Sequence, residues 1–449
     1  MAVRTRQERD SLGLVDVPRD RLYGAQTARA LANFGTPPGG HCLGARGSLV
    51  SALVRIKRAA ARENCRAGQL SPSRRRLISA ASEEILRWTD CRREFPIHIL
   101  HGGGGTSANM NANEVIANLA NSLDGSPFGS YLPVHPLDHV NLNQSTNDVY
   151  PSACRVAIAR ETRGVLDALD ECRGHFARLA AANRHIPKLV RTCLQDAVQS
   201  DWERYFEAQS RVLGRHRRRL AEARDSICLL SLGGGIAGEP RSSPPRFGEG
   251  VVRGLAEACP DLPLRRAPHL ADLAQNSDDL VAYGHALDGL SRTLIKQSAD
   301  LRLLASGPDG GFMELSLPPL QPGSTAMPGK VNPVVPEFVM QSCFAAIGSV
   351  SACGLAADHA ELDLNVWEGT FMHGLLSASE LLAEALGRFG ALCLAGIEVN
   401  ETESRKKADN PTARVTAYAR RFSYSAAVEM MGASDGSTLG EIREAGKGQ

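Results

Sequence analysis

Apolar residues recur with a helical period through the middle of the chain. Val165, Leu169, Cys172, Phe176 and Leu179 follow one another at spacings of 4, 3, 4 and 3, which lines one face of a helix. Leu280, Tyr283, Leu287, Leu290, Leu294 and Leu301 extend the same rule over about six turns. Such seams predict long helices packed nearly parallel in a central bundle over 146–396. The stretch EFVMQSCFAAIGSVSACGLAA (337–357) is apolar or small nearly all round. A helix of that kind is buried on every side, surrounded by several others from this subunit or its neighbours. No strand-rich alternation competes there, so this stretch reads as all-α.

The flanks read differently. Residues 1–145 predict a mixed N-terminal helical domain with loops: FGTPPGGHCLG (34–44) interrupts its start, ASEEILRWTDCR (81–92) reads as a helix, and four glycines form a loop at 102–105. Residues 397–449 predict a short, charged C-terminal domain. No internal repeat of 20–50 residues and no low-complexity block is present.

Composition narrows the function. A chain of 449 residues with 43% apolar and 22% charged residues is globular and too long for one small domain. A net charge of +2 creates no field for a polyanion, so no nucleic-acid partner is expected. Only seven of the 51 basic residues are lysine. Eleven cysteines with no CxxC pair argue against a disulfide framework or zinc ribbon and for a reducing, cytoplasmic compartment. The opening MAVRTRQERD has no apolar h-region, so no signal peptide is expected. No apolar run is expected to reach the roughly 20 residues of a membrane span.

Four segments rich in small polar residues sit at helix starts or in Gly/Pro loops, where side chains and backbone amides can meet an anion. In HGGGGTSANMNANEVIANLA (101–120) the glycines permit close backbone approach, and Thr106, Ser107 and Asn109 open a helix. No Gly-Lys-Ser/Thr follows, so it is not a P-loop. In HPLDHVNLNQSTNDVYPSA (135–153), Ser145, Thr146, Asn147 and Asp148 read as an N-cap whose hydroxyls and amide could equally bind a carboxylate. His135 and His139 are four apart without an HExxH pattern, so no metal site is expected. In KLVRTCLQDA (188–197), Thr192 and Cys193 lie between a basic patch and an expected helix; a thiol there is either buried and inert or a nucleophile needing a base. LQPGSTAMPGKVNPVVPE (320–337) has the composition of a lid that orders over a ligand. Its Ser324 and Lys330 also admit a Ser–Lys hydrolase.

Together these segments resemble the aspartase/fumarase superfamily, most closely its aspartate ammonia-lyase branch. DSLGLVDVPRDRLYGAQTARALANF (10–34) is similar to the family's opening. GTSANMNANEVIAN, HVNLNQSTNDVYPSA and GSTAMPGKVNPVVPE are similar to its three signature regions, and DLRLLASGP (300–308) and ELDLNVWEG (361–369) to further segments in the same order. The resemblance implies an all-helical, three-domain subunit with a long central bundle, assembled as a homotetramer whose active sites are shared between subunits. It implies cleavage of a C–N or C–O bond β to a carboxylate of a small dicarboxylate, releasing fumarate with no metal or organic cofactor. It makes Ser324 the general base, in a loop that includes Gly323, Thr325, Met327 and Gly329. Lys330, Asn332 and Thr192 would hold the α-carboxylate. Thr106, Ser145 and Thr146 would bind the carboxylate that takes up charge, and Asn147 would hold the leaving-group side.

The chain departs from the family at telling places. Cys193 stands where His or Gln is common beside the leaving group, and a thiol is a weak hydrogen-bond donor. Thr325 replaces a second Ser, and Ala326 a larger aliphatic residue. LGGGIAGEPRSSPP (232–245) lacks hydroxyls of the usual pattern, Leu137 replaces an Asn, His101 a Gln, and the C-terminal domain is short. The expected reaction is elimination to fumarate from aspartate. The alternatives are a 2-substituted succinate with another leaving group (nitrosuccinate, for example), a fumarase, a Ser–Lys hydrolase, or a non-catalytic oligomeric scaffold.

Overall fold

A computed structural model describes residues 4–38, 40–239 and 243–432. The first residues of MAVRTRQERD, Gly39 in the 34–44 segment, residues 240–242 of the 232–245 segment and the tail 433–449 lie outside the described residues. The chain is predominantly helical, and its strands form four two-stranded sheets among the described residues.

The chain opens with an antiparallel hairpin, β1 (Thr5–Asp10) and β2 (Gly13–Pro18), in which Thr5 pairs with Pro18. Helix α1 (Ala25–Phe34) starts without a cap of its own. Glu114 supplies one from outside, accepting from the Gly24 and Gln26 amides at 2.8 Å and from Thr27 Oγ1 at 2.6 Å. A carboxylate at a helix N-terminus satisfies donors that the helix cannot pair itself. Helix α2 (Gly47–Arg66) buries Leu49, Leu53, Val54, Ile56 and Ala60. Helix α3 (Pro72–Ile85) starts at the Ser71 cap, with proline in its first turn, and stops at Ile85. The helix expected over 81–92 is therefore only the end of a longer one. The signal was the Ser-Pro pair, the preferred cap and first-turn residues. Helix α4 (Thr106–Leu123) follows the glycine loop, and α2 packs on both α3 and α4.

The long helices follow: α5 (Thr146–Ala182), then α6 (Trp202–Ser226). Between them run β3 (Pro187–Thr192) and β4 (Gln195–Asp201), an antiparallel hairpin where the sequence predicted the approach to a helix. The short strands β5 (Leu229–Leu230) and β6 (Arg265–Arg266) pair in parallel around α7 (Phe247–Ala258). After α8 (Leu270–Gln275) comes α9 (Asp278–Leu304). Its predicted seam, Leu280 through Leu301, is buried throughout. In the α5 seam all but Leu179 are buried. Strand β7 (Leu315–Ser316) pairs with β8 (Glu398–Val399), flanking α10 (Val334–Asp358) and α11 (Glu368–Arg388). Three short helices, α12 (Glu401–Ala408), α13 (Pro411–Arg421) and α14 (Tyr424–Gly432), complete the described chain. Asn400 caps α12, and Asn410 caps α13.

Residue contacts divide the chain into two compact units. One holds Met1–Leu166, Arg218–Gly289 and Phe344–Leu381; the other holds Asp167–Arg217, Leu290–Cys343 and Leu382–Gln449. In the first, Tyr283 Oη lies 2.8 Å from Thr162 Oγ1 and 3.1 Å from Ser379 Oγ, joining α9, α5 and α11 through a fully buried ring. In the second, Trp202 stacks on Phe206 at 5.4 Å and donates to Ser404 Oγ at 2.7 Å; Ser404 in turn donates to the Pro187 carbonyl at 2.6 Å.

Helix α10 bears on two expectations. By length and composition it is long and apolar enough to cross a membrane. Nor is it buried on every side within one chain. Val339, Cys343, Ala346, Val350 and Cys353 are buried. A second stripe, Phe338, Phe344, Ala345, Gly348, Ala352 and Leu355, is not, and Leu355 is 63% exposed. An apolar residue left in water forfeits on the order of 2 kcal/mol, so the second stripe is a face without a cover in the single chain.

Candidate active site

The first unit carries the first two polar segments. The glycine loop ends at Gly105, whose φ of +89° belongs to the left-handed region. A Cβ there would sit 2.1 Å from the buried Tyr150 ring. Only glycine lets the loop pass over that ring, and this passage sets the exposed Thr106 at the start of α4.

Helix α5 begins with a reciprocal cap: the Asn147 amide donates to Ser145 Oγ at 3.2 Å, and the Ser145 amide to Asp148 Oδ1 at 3.1 Å. Asp148 Oδ2 also accepts from the Gly233 and Gly235 amides at 3.1 and 3.0 Å. The hydroxyl-poor LGGG turn thus wraps around a buried carboxylate through its backbone. Asn147 Nδ2 donates to the Ile236 carbonyl at 2.8 Å. Thr146 Oγ1 accepts from Asn109 Nδ2 of α4 at 3.0 Å, so the two predicted segments meet.

Beneath them lies Lys57, fully buried on the core face of α2. Its ammonium donates to Asn141 Oδ1 at 2.8 Å, which also accepts from Asn109 and Asn113, each at 3.2 Å. Burial pushes the Lys57 ammonium down from its usual value and the Asp148 carboxyl up, and each group's charge opposes the other's shift. Sequence reading passed over Lys57 and Asn141. The available signal was a lone lysine on an apolar helix face in a chain that otherwise uses arginine.

Glu368, from the ELDLNVWEG segment, is also buried. Its Oε2 has no hydrogen-bond partner, and burial pushes it up to about 8.

The second unit carries the other two segments. Thr192 ends β3, and Cys193 and Leu194 form the two-residue turn to β4, with φ of +53° and +63°. Both values are left-handed, as in a type I′ turn, yet neither residue is glycine or asparagine. Cys193 is exposed, so it is not a buried, inert thiol. Below the turn, the Arg191 guanidinium lies 2.6 Å from the fully buried Glu314 Oε1 without hydrogen-bond alignment, and stacks 4.3 Å above the Phe312 ring. The fourth segment closes on itself. The Gly323 amide donates to the Lys330 carbonyl at 2.7 Å, and Asn332 Nδ2 to the Gly323 carbonyl at 2.9 Å. A Cβ on Gly323 would fall 2.8 Å from both the Lys330 carbonyl and the Asn332 amide, so this neck requires glycine. Within the loop, Ser324 Oγ accepts from the Ala326 and Met327 amides at 3.1 and 3.0 Å. Thr325, Met327, Gly329 and Lys330 are exposed around an open depression of about 450 Å³ lined by Ser324, Met327, Gly329 and Lys330. No hydrogen bond joins the turn to this loop among the described residues.

A helical fold with hydroxyl clusters at helix starts and a serine held by backbone amides in a Gly/Pro loop is the arrangement that the resemblance to the aspartase/fumarase superfamily implied. Comparison with known proteins agrees. The family model described as "Lyase" matches residues 13–348. An aspartate ammonia-lyase of Bacillus subtilis is 36% identical over 95% of this chain and 88% of its own. A class II fumarate hydratase of Pseudomonas putida is 37% identical over 97% of this chain and 94% of its own. The crystal structure of a fumarate lyase:delta crystallin from Brucella melitensis bound to cobalt superposes with a TM-score of 0.93 at 36% identity, covering 99% of this chain and 96% of that one. The chain belongs to this lyase family, and it is an enzyme.

Proposed function

We propose that the protein removes a leaving group from aspartate, or from another 2-substituted succinate, to give fumarate, with Ser324 as the base. Ser324 takes the proton from the carbon beside a carboxylate, and the electron pair moves into that carboxylate as an enediolate. Collapse of the enediolate forms the C=C bond, breaks the C–N bond and expels the amine. Thr106, Ser145 and Thr146 receive the carboxylate that gains charge; Lys330, Asn332 and Thr192 hold the other; Asn147 and Cys193 face the leaving group. The subunit works as a homotetramer with shared sites, in the cytoplasm, and the uncovered stripe of α10 supports that assembly. We further propose three domains, bounded near 145 and 396.

One observation carries this reading: the two amides aimed at Ser324 Oγ. Hydrogen bonds to a charged form favour it, so two donors on this oxygen lower the cost of an alkoxide. A Ser–Lys hydrolase lacks the contact it needs: no hydrogen bond joins Ser324 Oγ to Lys330 among the described residues. The relatives include both ammonia-lyases and hydratases at similar identity, and Cys193 favours a leaving group that needs no imidazole beside it. The test is fumarate release by the purified protein from L-aspartate, L-malate, argininosuccinate and nitrosuccinate, with Ser324→Ala as control. Release from one of them, cut by 10²-fold or more in the variant, is expected; release unaffected by the variant would remove Ser324 from the chemistry.

A further inference from the structure

The chain of hydrogen bonds from Lys57 to Thr146 has a direction. An ammonium only donates. The group of Asn141 that faces Lys57 at 2.8 Å is its oxygen, the only end of the amide that can meet a charged ammonium. The groups of Asn109 and Asn113 that face the same oxygen at 3.2 Å must then be their NH2 ends. Asn141's own NH2 is consistent with this, pointing to the Gln144 carbonyl at 3.2 Å. The NH2 of Asn109 that faces Asn141 also lies 3.0 Å from Thr146 Oγ1, so the threonine oxygen accepts there. Its own proton is left to point elsewhere. Asn109 Oδ1, buried and without a partner, is the cost of turning both amide hydrogens toward Asn141 and Thr146.

We propose that Lys57 is a positioning residue: through Asn141 and Asn109 it fixes the polarity of this chain, so that the Thr146 hydroxyl is presented as a donor to the carboxylate of the substrate. The inference rests on the reading of Thr146 as a carboxylate ligand. Lys57 touches no substrate; it acts through two amides. With the ammonium absent, only the 3.2 Å bond from its own NH2 to the Gln144 carbonyl keeps Asn141 in this orientation; once that bond is given up, Asn141 turns over and Asn109 can offer Thr146 an acceptor, which would draw the hydroxyl proton inward and leave the substrate facing a lone pair. Donation to the carboxylate that gains charge is worth more in the transition state than in the ground state, so the defect falls chiefly on kcat.

The experiment uses the full-length assembly and succinate, a dicarboxylate with nothing to eliminate. Succinate binding is measured by calorimetry for the wild type, Thr146→Val, Lys57→Met, Asn109→Leu, Asn141→Leu and Asn141→Asp, with L-aspartate turnover and melting temperature alongside. Asn141→Asp keeps an acceptor toward both Lys57 and Asn109, so it should bind succinate within about twofold of wild type. Thr146→Val, Lys57→Met, Asn109→Leu and Asn141→Leu should each weaken succinate about tenfold and lower kcat more than they raise KM. If Lys57→Met fails to fold, the contrast between Asn141→Leu and Asn141→Asp still decides. Equal loss in those two variants, or wild-type binding by Asn109→Leu while Thr146→Val is impaired, overturns the proposal and leaves the carboxylate site standing. Unchanged binding in Thr146→Val overturns the carboxylate reading and, with it, the role given to Lys57.

Discussion

The two polar clusters are held in opposite ways. In the first unit, Ser145, Thr146 and Asn147 rest on buried groups drawn from across the sequence: Asp148 gathers amides from residues 145, 233 and 235, and Lys57 reaches Asn141 from α2. In the second, the Ser324 loop is held by itself, through Gly323 to Lys330, Asn332 to Gly323, and Ser324 to its own following amides. The first arrangement is preorganised, because moving any member strands a buried polar group. The second can shift as a piece without stranding one. A clamp that must meet developing charge gains from the first; a base that must enter and leave a closed site gains from the second.

The contrast is broken most directly at Asp148. Asp148→Ala leaves three backbone amides without their acceptor and should cost about 3–5 kcal/mol. Ser324→Ala, at a partly exposed loop site, should leave the melting temperature within about a degree while removing turnover. Comparable melting temperatures for the two variants would end the distinction.

Two glycines sharpen it. Gly105 and Gly329 have similar φ, +89° and +85°, but a Cβ at 105 meets the Tyr150 ring whereas one at 329 meets open space. Gly329→Ala should cost about 1–2 kcal/mol, the left-handed penalty alone. Gly105→Ala should cost about 2 kcal/mol more from overpacking. Denaturant unfolding of both variants measures the difference, and equal costs would refute the account of the Gly105 loop.

Buried Glu368, in the first unit, predicts a pH dependence of stability. Its folded value, about 8, lies above the unfolded value of roughly 4.3. Between the two, the folded state holds a proton that the unfolded state has lost, so stability falls as pH rises through this window. Glu368→Gln should match the wild type near pH 5 and melt a few degrees higher near pH 8. Parallel curves at all pH values would show that Glu368 is ionised in the fold.

The smallest effect is expected at the hairpin turn. Cys193→Gly relieves one left-handed residue and should stabilise by about 1 kcal/mol at most. Cys193→His keeps the strain, and its expected consequence is a change in the ratio of fumarate release from different succinates rather than in melting temperature. A fall in stability with unchanged ratios would detach Cys193 from the leaving group.

The helical class and the α9 seam were legible in the residue pattern because helix periodicity is local: Leu280 to Leu301 face inward through their spacing alone. The glycine loop, the cap at Ser145 and the Gly/Pro loop around Ser324 were legible for the same reason, since caps and turns are properties of a few consecutive residues. The Cys193–Leu194 turn was not, because it uses residues that local preference rejects and that only the paired strands hold in place. The two faces of α10 were not distinguishable either, since both are apolar and only packing decides which is covered within the chain. Lys57 and Asn141, 84 positions apart, were invisible as a pair. Sequence alone therefore determined which segments present hydroxyls and amides. The tertiary structure decided which way those groups point, because hydrogen-bond direction is set by partners that local propensity does not know.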